Sequence, residues 1–414
     1  MNSFSTDVCV IGAGPGGCAT SLQLSKLGID CLLIDKATFP RDKICGDALS
    51  GKVVVTLNRI DKNIMREITN HNSFLPSWGV KFIAPNLKEL KIPFKKNYDT
   101  KEIAPGFISK RIDFDNFLFE QTKKKPTVKT LEGIELTQFE KQYDGWILYD
   151  KQNSVSIKTK MVVAADGAHS RFAKEIGKIN VEHGHYCAGI RAYYKGVKNL
   201  DTDGFIELHF LKDFLPGYFW IFPLPNGYAN IGVGMRSDFV SRKKINLKTS
   251  LLEIIEKYPL LKERFSSAEL IADIKGYGLP LGSKKRNISG ENFLLVGDAA
   301  SLIDPFTGEG IGNAMISGVK AAEQVVLCLK ENNFSASFMK QYDDAVYKRL
   351  WSELSLSKKM QDLVKHPWLF NLVANKAVKS KSLQHIIMSM FEDLDIRKQL
   401  KSPKFYFKIL FTNR

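Results

Sequence analysis

The chain has 414 residues, 44% of them hydrophobic, and carries 60 Lys and Arg against 44 Asp and Glu, a net charge of +16 with a pI near 9.3. That size and apolar content exclude a disordered chain and a small disulfide scaffold, and fit two domains or one compound domain. The basic balance implies something anionic, such as acidic lipid headgroups or a phosphorylated substrate, but the lysines are dispersed and no nucleic-acid-binding signature accompanies them, so nucleic acid is set aside as a partner.

Met1 to Thr6 is short, polar and without a charged-then-apolar leader, which predicts a cytoplasmic protein. No apolar run reaches the length of a bilayer span, so membrane association is expected only as a peripheral one. Asp7 to Ile11 reads as a strand that runs directly into Gly12-Ala13-Gly14-Pro15-Gly16-Gly17 and then into a helix ended by Gly28. A second strand, Cys31 to Ile34, ends in Asp35 at about the twenty-residue distance of an acid that bonds an adenosine ribose. Strand, GxGxxG and helix with the acid in register predict an adenine dinucleotide, without separating FAD from NAD.

Arg41-Asp42-Lys43-Ile44-Cys45-Gly46-Asp47 is too rich in charge and glycine for a regular element. Alternation around Pro85-Asn86-Leu87 predicts a hairpin over 76–94. A helix follows Arg111, with Phe114, Phe117, Leu118 and Gln121 on one side; Arg111 at its entrance reads either as a phosphate ligand or as a surface arginine. Met161 to Ala165 is another buried strand, leaving through Asp166-Gly167. From Gly189 to Ser283 the pattern becomes successive alternating strands, an antiparallel sheet whose aromatic density suits an apolar pocket wall as well as a core. His183 and His185 lack a third ligand nearby and the six cysteines lack zinc-site spacing, so no metal is expected and the cysteines are read as thiols.

Phe293 to Val296 delivers Gly297-Asp298 from a third buried strand. A helix opening in Gly308, Gly310 and Gly312 is expected to leave N–H groups uncovered by side chains, facing an anionic or carbonyl-rich ligand edge. After Glu331 the chain reads as helical to its end, with the apolar run Phe405 to Phe411 docked on the core.

These residues resemble the geranylgeranyl reductase family, within the class of FAD enzymes similar to para-hydroxybenzoate hydroxylase. The resemblance covers nearly the whole chain; Lys43 to Asp47 and Tyr218-Phe219-Trp220-Ile221-Phe222-Pro223 are its family-specific stretches, and the dinucleotide turn, Arg111, Asp166-Gly167 and Gly297-Asp298 belong to the wider class. It implies an α/β fold, α+β overall: a Rossmann-type FAD-binding domain over 1–75, 100–180 and 285–330, an antiparallel-sheet substrate domain over 76–99 and 181–284, and a C-terminal helical segment over 331–414. It assigns Gly12, Gly14, Pro15, Gly16 and Gly17 to the FAD pyrophosphate and Asp35 to the ribose, with Lys36, Arg41, Arg111 and Asp166 also on the cofactor. Gly297 and Asp298 face the ribityl or pyrophosphate, and Gly308, Gly310, Ile311 and Gly312 the pyrimidine edge of the flavin. Cys45 and Gly46 line the isoalloxazine and are the catalytic candidates; Tyr218, Trp220, Phe222 and Pro223 line a prenyl pocket.

The implied reaction is saturation of carbon–carbon double bonds in an isoprenoid lipid by hydride from reduced flavin. No second GxGxxG follows a strand, so NAD(P)H or another electron donor is expected as a transient visitor. The alternative on the same fold is an FAD monooxygenase that hydroxylates or epoxidises an apolar substrate. A flavin halogenase is disfavoured because the Trp-x-Trp-x-Ile-Pro signature is absent.

Overall fold

The computed structural model describes residues 1–95, 99, 102–380 and 383–384; the apolar run Phe405 to Phe411 lies outside them. At its centre is the strand Asn2–Ile11, whose Val8, Cys9 and Val10 are completely buried. It pairs in parallel with Val155–Ala164 on one side and Cys31–Ile34 on the other. Val128–Leu131 and Phe293–Leu295 extend the parallel sheet at its two edges. A parallel sheet covered on both faces needs continuous apolar strands, which is how residues 8–11, 31–34, 161–164 and 293–295 read in sequence, whereas the edge strand Val128–Leu131 does not. Because the strands run the same way, Gly12, Asp166 and Gly297-Asp298 leave from one edge of the sheet.

The helix Pro15–Lys26 starts on Gly14 in extended backbone, with Pro15 at its first position, where a missing N–H costs nothing. It packs on the helix Ile311–Glu331 so closely that a Cβ on Gly318 would stand 2.4 Å from the Gly16 carbonyl oxygen. The front half of Val155–Ala164 carries an antiparallel meander, Gly145–Asp150 and Leu136–Gln142, that the sequence reading did not anticipate.

The second sheet runs Tyr186–Lys195, Tyr228–Arg236, Tyr218–Pro223 and Ile206–His209 in antiparallel order. Lys275–Pro280 pairs along the free side of Tyr186–Lys195. The predicted hairpin is present as Gly79–Ile83 and Glu89–Pro93, with Val80 opposite Ile92. It joins through a parallel pair, Ile206 beside Val80, so the sheet is mixed, not purely antiparallel. A parallel neighbour requires a long crossover, and here the chain passes through the first sheet before it returns. Between residues 237 and 265 three helices, Ser237–Lys243, Leu247–Lys257 and Pro259–Phe265, replace the expected strands. Leu247, Leu251, Ile254 and Ile255 are buried at helical spacing, a periodicity visible in the sequence. A small sheet, Ala48–Leu49, Gly106–Ile108 and Leu75–Ser77, lies between the large ones in chain connectivity.

The C-terminal helices Ala336–Leu363 and Pro367–Lys379 dock on this body. Tyr342 of the first donates to the Leu295 carbonyl at 2.6 Å, and Phe370 of the second lies 4.9 Å, centroid to centroid, from Phe210. Among the described residues no helix is long and apolar enough to cross a membrane.

Candidate functional site

A cavity of about 830 Å³ opens along the carboxyl edge of the parallel sheet and continues against the second sheet. That is toward the upper end of the roughly 300–1,000 Å³ typical of small-molecule and cofactor sites. At one end the chain turns back at Gly12, whose φ of +96° and whose position against the Ala165 carbonyl, 2.5 Å from an added Cβ, both require glycine. Gly17 packs inside the turn, where a Cβ would stand 1.8 Å from the Gly12 oxygen, and it does not border the cavity. Gly14, Pro15 and Gly16 do. Asp35 holds this turn: its carboxylate accepts from Ala13 N at 2.7 Å and from Ala37 N at 2.8 Å. Lys36 borders the cavity beside it, and Asp166 faces across, its Oδ1 buried without a hydrogen-bond partner and its carboxyl pushed by burial to a pKa of about 6.

Farther along, Arg41 and Arg111 share one carboxylate. Asp115 accepts from Arg111 Nε and Nη2 at 2.6 and 2.7 Å and from Arg41 Nη1 at 2.7 Å. Burial alone would raise the pKa of Asp115, but the two guanidinium groups hold it below the usual carboxylate range. Two cations and one anion leave a net positive wall, joined by Lys43, which lies 3.7 Å from Asp298 and over the Tyr277 ring at 4.1 Å. Asp298 sits on a short helical turn entered through Gly297 at φ +62°.

The glycine-rich loop closes this end. Gly308, Gly310 and Ile311 border the cavity. Gly312 corrects the expectation of an uncovered N–H: Glu309 Oε1 accepts from it at 2.6 Å, and a Cβ there would meet Lys52, so Gly312 faces inward and away from the cavity. Behind it lies a buried ionic cluster. Lys52, 2% exposed, donates to Asn313 Oδ1 at 3.0 Å and pairs with Glu353 at 2.8 Å and Glu309 at 4.0 Å. Burial would lower the Lys52 pKa, yet the two carboxylates raise it, keeping the amine charged.

The wall toward the second sheet is aromatic. Tyr218, Trp220 and Phe222 alternate onto the cavity face of their strand; Phe219 and Ile221 point to the opposite core, and Pro223 with them lies off the cavity. Each of the three rings is met by a glycine. A Cβ on Gly232 would fall 2.1 Å from Trp220, one on Gly46 2.9 Å from Phe222, and one on Gly308 2.9 Å from the Tyr218 hydroxyl, which donates to the Thr307 carbonyl at 3.0 Å. Cys45 and Gly46 therefore stand between the aromatic wall and the cationic end.

Asp47 fixes that placement, and sequence reasoning left it without a role. Fully buried at φ +69°, it accepts from Arg111 N at 3.2 Å, Tyr193 Oη at 2.7 Å and Asn230 Nδ2 at 2.7 Å. Asn230 also donates to the Cys45 carbonyl at 2.8 Å and accepts from Trp220 Nε1 at 2.9 Å. One carboxylate thus ties the Cys45-Gly46 turn to two strands of the second sheet. Burial outweighs its donors and pushes its pKa to about 6. With the folded pKa above the ordinary 3.8, the fold gains from the protonated form at low pH and loses that gain as pH rises through about 6. Relative to Asp47→Asn, the wild type should lose about 3 kcal/mol of stability between pH 4 and 7. Urea unfolding of both proteins across that range checks this; a flat difference would show a carboxylate that keeps one charge state throughout.

The paired strand edges, the glycine turn with its buried acid and the cationic wall define a two-sheet dinucleotide flavoprotein, and residues 5–195 match the FAD binding domain family model. FAD fits: the turn leaves Gly14 open where its neighbours are sterically committed, and Asp166 offers a buried oxygen without a partner. The chain is 31% identical over 350 residues to the digeranylgeranylglycerophospholipid reductase of Thermoplasma volcanium, covering 83% of each chain. It is 30% identical to that of Methanococcus vannielii over 87% of each, and 28% identical to the menaquinone reductase of Mycobacterium tuberculosis over 77% of this chain and 76% of that one. In fold it is similar to a geranylgeranyl bacteriochlorophyll reductase-like protein of Thermoplasma acidophilum, with TM-score 0.79, 24% identity and 96% and 99% of the two chains covered. A flavin-dependent brominase shares the fold at TM-score 0.76, 20% identity and 94% coverage of both. The chain belongs to the geranylgeranyl reductase family of FAD-dependent oxidoreductases.

Proposed function

We propose that this enzyme saturates carbon–carbon double bonds of an isoprenoid lipid chain. The observation that carries the reading is the aromatic wall of Tyr218, Trp220 and Phe222, set by facing glycines against Cys45-Gly46 and open to the same cavity as the dinucleotide turn. The names of the curated relatives, reductases of a geranylgeranyl glycerophospholipid and of a menaquinone, support the same chemistry.

Residues 1–75, 100–180 and 285–330 would hold FAD, and 76–99 and 181–284 the substrate; of the helical segment expected over 331–414, residues 381–382 and 385–414 lie outside the described residues. Backbone N–H groups of Gly14 and Gly16 and the charges of Arg41 and Lys43 would take the pyrophosphate. Asp35 keeps lone pairs free for the ribose, and the Gly310 and Ile311 N–H groups would meet the flavin pyrimidine edge. Bound and reduced, FAD would supply the hydride to one alkene carbon, and a proton must reach the other to complete the saturated bond. An isolated alkene offers no carbonyl to stabilise charge, so the residues' contribution is alignment and exclusion of water. Trp220 is locked by Asn230, and Phe222 is locked against Gly46, which gives a rigid apolar slot. Electrons would come from NAD(P)H or another transient donor, and the enzyme would act in lipid metabolism in the cytoplasm, peripheral to a membrane.

Anaerobic incubation of the dithionite-reduced holoenzyme with a geranylgeranyl lipid tests the reading. The expected product has gained two hydrogens per reduced bond by mass spectrometry, with flavin reoxidised in step. A product that forms only with oxygen and gains an oxygen atom would establish the monooxygenase instead.

A further inference from the structure

The helix Pro367–Lys379 is apolar on both sides. Its inner side contributes Phe370 and Ala377 to the aromatic core beneath the second sheet. Phe370 packs on Phe210, which stacks on Phe306 at 5.3 Å, and Phe306 borders the cofactor cavity. Its outer side exposes Trp368 at 70% and Leu372 at 45%, one helical turn apart and directed away from the buried Phe370. A solvated helix places polar residues there.

A second element reaches the same place. The tip of the hairpin between Gly79–Ile83 and Glu89–Pro93 is fastened to this helix by Asn86, whose N–H donates to Asn371 Oδ1 at 3.2 Å and whose Nδ2 donates to Asn375 Oδ1 at 3.5 Å. The next residue, Leu87, is 51% exposed at φ +62°. A branched aliphatic residue in the left-handed region, turned to solvent at a turn where Asn or Gly would be relaxed, is strain without a folding benefit. The structure therefore holds three large apolar side chains outward from two elements that are hydrogen-bonded together.

The flanking charge is basic. Lys88 adjoins the tip, Lys365 precedes the helix, Lys376 lies one turn beyond Leu372 on it, and the nearby acid Asp362 is already bridged by Lys358 and Lys365. This accords with the net charge of +16. A tryptophan with aliphatic neighbours and lysines on both elements matches an anionic bilayer surface, where the apolar groups enter the interface and the ammonium groups meet phosphates.

We propose that Leu87, Trp368 and Leu372 form the face by which this enzyme sits on an anionic phospholipid bilayer. The inference deepens the isoprenoid-lipid reading and rests on it for its purpose. On its inner side the helix packs through Phe370 and Phe210 onto Tyr218 of the cavity wall, so apolar packing links this face to the site.

The test is flotation of the holoenzyme with vesicles of phosphatidylcholine alone and of phosphatidylcholine with phosphatidylglycerol. Binding is expected to the anionic vesicles, weakened by salt, with a blue-shifted tryptophan emission quenched by brominated lipid; Trp78, Trp146 and Trp220 are buried in protein, and loss of the quenching in Trp368→Ala separates Trp368 from the half-buried Trp351. Trp368→Ala with Leu372→Ala, and separately Leu87→Ser, should reduce partitioning about tenfold or more while flavin content and turnover of a detergent-dispersed prenyl substrate stay unchanged. Three results would overturn it: no binding to either vesicle, binding that the substitutions leave intact, or a concentration-dependent dimer abolished by Trp368→Ala with no vesicle binding. Loss of prenyl turnover with vesicle binding retained would instead sink the catalytic reading alone.

Discussion

Asp115→Ala is expected to remove about 3–5 kcal/mol of folding stability and most of the bound FAD, because it strands charge in a place water does not reach. The Asp115 side chain is completely buried and that of Arg111 is 4% exposed, while Arg41 reaches the same carboxylate from the cavity rim. Forming such a pair gains little over an apolar substitute, but removing one partner leaves the desolvation of the other unopposed. Here one carboxylate serves two guanidinium groups, so the loss is compounded. The contribution of Asp115 is present at neutral pH and is lost as pH falls through its lowered folded pKa, so the variant and wild type should converge in strong acid. Denaturant unfolding and flavin absorbance per chain report the two losses. An unfolding midpoint equal to wild type would show that other groups neutralise the arginines.

Gly17→Ala is expected to abolish FAD retention and cost about 3 kcal/mol or more, because its methyl group would meet backbone, not a movable side chain. The obstacle, the Gly12 carbonyl oxygen at 1.8 Å, is itself fixed by the parallel pairing of Asn2–Ile11. Gly14→Ala supplies the contrast. Its Cβ would find only Arg41 Nη2, at 3.6 Å, so the apo protein should melt almost unchanged while FAD binding weakens. If both variants lose stability equally, Gly14 has a folding role; if both keep flavin, the turn is not the pyrophosphate cradle.

These two glycines show what the sequence discloses and what it withholds. Spacing alone marked the turn, because a tight strand-to-helix turn permits few residue types, and the same economy exposed the three buried strands that end together. The i, i+4 spacing of Arg111 and Asp115 is a sequence-visible sign of an ion pair, although burial and the arrival of Arg41 are not. Asp47 falls in the charged loop and Asn230 within the alternating strands, yet their junction joins residues 183 apart and depends on how one sheet lies on the other. The helices of residues 237–265 were legible by period and were obscured by the strands on either side. Glu309 stands between two glycines with no sequence signal of a role; only the structure shows that it accepts from the first turn of the following helix and packs against Lys52.

That buried cluster also bears on the order in which the protein is made. Glu309 belongs to the loop that closes the cofactor end, but the Lys52 beside it is balanced by Glu353, carried on the much later helix Ala336–Leu363. The same helix receives the Ile288 N–H on Asp343 and reaches the Pro305 carbonyl with Gln361. A nascent chain displaying the whole dinucleotide turn would still present an uncompensated interior lysine where the loop must settle. Closure of the cofactor end therefore waits on that helix, and a chain stopped before residue 336 would carry a complete fingerprint and an unfinished clamp.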